Sequence, residues 1–199
     1  MKKINKILIA ITIIISMGYA INDISNQNLY GLLIRLSIIP VILLPYIAEK
    51  LFKIKISNAS KLVYIIFIIL SHFLGSVINL YHQINGYDTF THTLFGFVAS
   101  FFALEFLIRT DSFNPKKMWF TIIFIISVIS LLAGLWETFE FTCDNLFGKD
   151  AQNVLTTGVT DTMKDMIVAY LGCAFFCLMY AYEYLYDKVM IIRKFINNI

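Results

Sequence analysis

Residues 118–144 read MWFTIIFIISVISLLAGLWETFEFTCD. From Met118 to Leu135 no side chain is ionisable, and then Glu137, Glu140 and Asp144 arrive together. A helix rising about 1.5 Å per residue needs roughly 20 such apolar residues to cross a hydrocarbon layer of about 30 Å. A membrane strand would need only about half that length, and lipid admits no open sheet edge. The stretch therefore predicts a transmembrane helix with acids gathered at its C-terminal end.

Five further apolar runs surround it, giving spans at 7–21, 29–47, 62–80, 90–108, 118–141 and 163–184. The expected fold is all-α, one polytopic helical bundle over residues 1–199 with about six spans. Of the 199 residues, 59% are hydrophobic and only 15% charged, with a mean hydropathy of +0.76. Soluble domains carry about a quarter charged residues, so an ordinary soluble globule is excluded.

The cations set the orientation, because Lys and Arg next to spans stay cytoplasmic. Lys2, Lys3 and Lys6 precede the first run, and Lys50, Lys53, Lys55 and Lys61 separate the second from the third. Arg109, Lys116 and Lys117 separate the fourth from the fifth, and Lys188, Arg193 and Lys194 follow the sixth. These are 13 of the 16 cationic residues, and a six-pass chain with both termini cytoplasmic puts them all inside. The opposite connections, 22–28, 81–89 and 143–161, contain only Lys149 as a cation. The first run also admits a signal-peptide reading, with Gly18-Tyr19-Ala20 as its end; cleavage would leave five spans in unchanged orientations. The net charge of +3 is spread as topology signals, so no nucleic-acid partner is expected. Cys173 and Cys177 sit inside a hydrophobic helix as small apolar groups, and neither a disulfide framework nor a cysteine zinc site is read.

Ionisable residues that hydropathy does not account for mark candidate sites. Asp88 and His92 are four apart, on one face at the start of the fourth span. Glu137, Glu140 and Asp144 close the fifth, and Asp161 and Asp165 open the sixth. The topology carries all three segments to the outer face. Six carboxylates beside one imidazole cannot all stay ionised in a partly dry site unless a cation intervenes. An oxygen-rich set with one His suits a divalent ion: Mg, Mn, Ca or Zn. His92 and Asp88 are the candidate acid/base and its orienting group, and Glu137, Glu140, Asp165 and Asp161 the candidate metal ligands. A solvated rim of helix ends is the competing reading, with Asp144 as loop surface and Asp161 as a helix cap.

Arg35 lies inside the second span and requires an anionic partner; it either binds substrate phosphate, pairs with an acid or snorkels to headgroups. His72, Ser76 and Asn79 share one face of the third span as a polar packing stripe. Glu105 and Arg109 form an i, i+4 ion pair. Gly96 and Gly134 read as close helix contacts, and the loop 148–158 as either a cover over the site or a plain connection.

The ordered set Tyr87-Asp88-x3-His92-x3-Gly96, then Glu137-x2-Glu140, then Asp161-Thr162-x2-Asp165 with Ala169 and Gly172 downstream, resembles the YjdF-like bacterial membrane proteins over about the last 115 residues. The resemblance implies an integral bacterial membrane protein and treats Asp88, His92, Glu137, Glu140, Asp161 and Asp165 as one unit; it supplies no reaction. Phe141 stands where that pattern has an aromatic such as Trp, and Lys164 interrupts the final motif. A looser likeness is to VanZ-like proteins, which are tied to glycopeptide resistance and envelope phenotypes.

Three functions follow as alternatives for a multi-pass protein of the bacterial plasma membrane with lipids as its partners. One is a metal-assisted enzyme acting on a lipid or lipid-linked envelope substrate. The others are a non-catalytic envelope protein and an ion or small-solute transporter.

Overall fold

The computed structural model describes residues 1–148, 150, 152 and 154–199. Lys149 and two further positions of the 148–158 loop, Ala151 and Asn153, lie outside the described residues. All regular structure among the described residues is helical. Among the described residues five helices are long and apolar enough to cross a membrane, or six if one bent pair counts as a single span. Two compact units divide the chain at Met1–Thr91 and His92–Ile199, the division falling inside one helix.

The first unit opens with α1 (Lys2–Ser25). Its polar residues Asn5, Thr12, Ser16 and Asp23 are buried, while Ile7, Ile11, Ile14 and Ile21 are exposed. This inverts the soluble pattern, as expected when the surrounding medium is apolar and polar groups must find partners inside the protein. Thr12 donates to the Leu8 carbonyl (2.8 Å) and Asn5 Nδ2 to the Asn58 carbonyl (3.0 Å).

The second run is broken into α2 (Leu29–Ile42) and α3 (Leu44–Phe52), bent by 47°. Pro45 has no N–H to give the Val41 carbonyl four residues back. That carbonyl instead accepts from the Tyr64 hydroxyl at 2.7 Å. Tyr64 belongs to α4 (Asn58–Ile68), so the bend is completed by a neighbouring helix. Tyr64→Phe removes this interhelical bond while a backbone N–H at the end of α2 still meets the Val41 carbonyl, so it is expected to cost about 1 kcal/mol, read as a lower unfolding midpoint in detergent.

The third run departs from the expected straight α-helix. After α4 the chain is π-helical over Ile69–Val77, and the Ile78 N–H reaches back five residues to the Phe73 carbonyl. The wider turn changes which side chains align, and of His72, Ser76 and Asn79 the last falls beyond it. His72 Nε2 meets Ser37 Oγ (2.9 Å), the Ser76 carbonyl faces Arg35, and Asn79 takes a left-handed φ of 70° ahead of α5 (Leu80–Gln83). Ile38, Ile42, Ile65, Ile68, Phe73 and Val77 form this unit's core.

The second unit comprises most of α6 (Tyr87–Arg109), then α7 (Met118–Phe147), α8 (Val154–Thr157), α9 (Thr160–Leu185) and α10 (Ile192–Asn197). α6 and α9 touch backbone to backbone. A Cβ on Gly96 would fall 1.8 Å from the Ala169 carbonyl oxygen, and one on Gly172 would fall 2.0 Å from that of Thr93. Gly134 differs from the packing reading given to it, since a Cβ there meets nothing within 4 Å. Below the crossing Phe176, Tyr180, Leu104, Ile125 and Ile129 make the core, and Phe101 stacks edge-on with Phe176 (4.7 Å) and Phe195 (5.1 Å). The expected Glu105–Arg109 ion pair is present at 3.5 Å. Cys143, Cys173 and Cys177 are free thiols.

Candidate functional site

The Gly96–Ala169 and Thr93–Gly172 contacts fix how the start of α6 lies against the start of α9. His92 is one turn before Gly96, and Asp165 one turn before Ala169, so the crossing carries the imidazole and the carboxylate to the same level. Asp88 stands one turn further back on the same continuous helix. One ligand atom from each of Asp88, His92 and Asp165 lies within 4.8 Å of the others. Asp165 is buried, and Asp88 and His92 are half-buried. Ligands at about 2.0–2.3 Å from an ion reach separations of this order across it. Two carboxylates with a neutral imidazole carry a formal charge of −2, which a divalent cation balances. The mixed oxygen and nitrogen set suits Mn or Zn better than Ca.

The other candidate ligands stand outside this group. Glu137 is buried, and its carboxylate and main-chain carbonyl both accept from Gln152 Nε2, at 3.3 and 3.1 Å. Glu140 accepts from the Trp136 indole N–H on its own helix at 2.9 Å. Asp161 lies in the first turn of α9, 4.0 Å from Lys164 Nζ. Asp144, expected as loop surface, belongs to the last turn of α7, because that helix runs on to Phe147. Its carboxylate accepts the Gln152 backbone N–H at 3.0 Å.

Gln152 escaped a search for ionisable residues because it carries no charge. Its amide joins Glu137 on α7 to the Thr162 hydroxyl on α9 (3.3 Å), three residues before Asp165. Gln152 is itself buried. Its place eight residues after Asp144, close behind an acidic helix end, is the signal the sequence offers.

Arg35 has its anionic partner within the first unit. Its Nε is 3.4 Å from Asp23 Oδ2, its guanidinium lies 5.7 Å from the centre of the Tyr19 ring, and NH1 donates to the Ser76 carbonyl. Asp23 also accepts from Asn28 Nδ2 at 2.9 Å. Asp23 was hidden in the sequence because the apolar run stops at Ile21 whereas α1 continues to Ser25.

A Thermotoga maritima protein described as an uncharacterized protein is 29% identical to this chain over 130 residues, covering 65% of each. The match thus spans just under two thirds of that relative's length. No solved structure matches the chain. The family described as "Predicted membrane protein (DUF2238)" matches residues 4–187, from the first turn of α1 to just past the end of α9, and the chain belongs to that family.

Proposed function

We propose that this protein is a multi-pass enzyme of the bacterial plasma membrane, with both termini cytoplasmic and a divalent-cation site at the outer ends of α6 and α9. Its substrate class would be a lipid or lipid-linked envelope precursor. The observation that carries the reading is the gathering of Asp88, His92 and Asp165 donor atoms within 4.8 Å. The narrower YjdF-like assignment is part of this proposal and is consistent with membership of a family of predicted membrane proteins. Depth supports an interfacial substrate, because the three residues lie within the first two turns of span-length helices, near headgroup level.

Asp88, His92 and Asp165 would hold the ion. A bound divalent cation supplies Lewis-acid polarisation of a carbonyl or phosphoryl oxygen. Glu137, held by Gln152 outside the three ligands, is given no step. Arg35 takes no part in this reading, since Asp23 already meets its charge.

The test is elemental analysis of full-length protein, stripped with chelator and reloaded with Mn2+. About one equivalent per chain is expected, with affinity lowered roughly 10- to 100-fold in His92→Ala and Asp165→Asn. Absence of stoichiometric metal in the wild type, or undiminished affinity in both variants, would exclude the cation site and with it the enzyme reading. A role as a non-catalytic helix lock would then be indicated by a loss of thermal stability in the same variants.

A further inference from the structure

The lysine-rich end of the first unit has a chemistry of its own, independent of the cation site. A groove of about 620 Å³ opens there between the start of α1, the end of α3 and the start of α4. Lys53 takes a left-handed φ of 54° and ends α3, turning the chain so that Lys55 returns beside Lys50. The floor is Lys61, which is buried, 2.7 Å from Glu49 Oε1 and 4.7 Å from the centre of the Tyr46 ring. Glu49 also accepts the Ile56 N–H at 2.8 Å. The one acid lining the groove is thereby already matched. Lys2, Lys50 and Lys55 are exposed on the rim and have no acidic partner among the described residues.

We propose that this groove binds the phosphate headgroup of an anionic phospholipid. Three uncompensated ammonium groups at the mouth favour an anion, and clustered juxtamembrane lysines each attract anionic lipid. Two features distinguish a lipid from a free phosphate ion. Ile54 and Ile56 give the groove an apolar wall, and Leu51 and Phe52 at the end of α3 are exposed beside it. The groove also lies where the span of α1 begins, tied to α4 through Asn5 and Asn58, which is the depth of a headgroup. An amphiphile satisfies both the charged mouth and the apolar wall.

Native mass spectrometry of the full-length protein, released from detergent with phosphatidylglycerol or phosphatidylcholine, tests this. Wild-type protein is expected to retain phosphatidylglycerol over phosphatidylcholine by at least about fivefold. Lys50→Gln/Lys55→Gln is expected to lower that retention roughly tenfold or more, with Lys2→Gln giving a smaller loss in the same direction. Lys116→Gln/Lys117→Gln, which removes two lysines elsewhere, should leave retention unchanged. Equal retention of the two lipids, equal losses in both double variants, or complete displacement of lipid by millimolar inorganic phosphate would overturn the assignment. The last outcome would make the ligand a soluble anion.

Discussion

Gly96→Ala is expected to destabilise the protein by about 3 kcal/mol, the upper part of the range for overpacking a tight interface. The added methyl carbon would stand 1.8 Å from the Ala169 carbonyl oxygen. That atom is backbone in the middle of α9, so it cannot swing aside as a side-chain tip would. α6 and α9 must separate by more than an ångström, and His92 moves away from Asp165 with them. Gly172→Ala, 2.0 Å from the Thr93 carbonyl oxygen, should behave alike. Gly134→Ala is the contrasting case: with open space around the new carbon, only helix propensity changes, and stability should rise by about 0.5–1 kcal/mol. Unfolding midpoints of the three variants in one detergent, together with their Mn2+ affinities, check the set. Loss of both stability and affinity is expected in the first two variants and of neither in the third.

Glu183→Ala is expected to cost about 3 kcal/mol and to release α10. Glu183 is buried on α9, and its two carboxylate oxygens accept the backbone N–H groups of Met190 (3.2 Å), Ile191 (3.0 Å), Ile192 (2.9 Å) and Arg193 (2.8 Å). The last three are donors that the N-terminus of α10 leaves without intrahelical partners. A charged acceptor on several of them is worth roughly 1.5–3 kcal/mol per bond before water replaces part of it. Next to this cap, the exposed Asp187 accepts a hydrogen bond from Arg193, which holds the Asp187 carboxyl below the usual carboxylate range. That contact is solvated and contributes little. In Glu183→Ala, amide exchange at 190–193 should accelerate towards the unprotected rate, with Phe195 leaving its place against Phe101. Glu183→Gln should fall between alanine and wild type, because one amide oxygen can still accept.

The helical class and the six apolar runs were legible because hydropathy over about 20 residues reports directly on what lipid tolerates. The same averaging hides hydrogen-bond register. Pro40 and Pro45 are visible in the chain, but the bend at Leu43 depends on Tyr64, 23 residues on, reaching the Val41 carbonyl. The π-helical turns around His72, which meets Ser37 on α2, likewise leave no mark on hydropathy. At the candidate site, the shared face of Asp88 and His92 follows from local helical spacing. The approach of Asp165 does not, because it needs the α6–α9 crossing that Gly96, Ala169 and Gly172 permit. Glu140 lies on the acidic end of α7 but turns to Trp136, a choice of rotamer that spacing cannot express. Asp23, Gln152 and Glu183 were missed for different reasons. The first fell beyond an apolar run that its helix outlasts, the second has no charge, and the third looked like one more residue in a tyrosine-rich helix end.

Electron spin echo modulation of the Mn2+-loaded, full-length protein addresses the central claim directly, because it reports nitrogen bonded to the metal. The account predicts nitrogen modulation from one imidazole that disappears in His92→Ala and persists in Glu140→Gln. Modulation unchanged in His92→Ala, or no protein-bound Mn2+ signal at all, would contradict it.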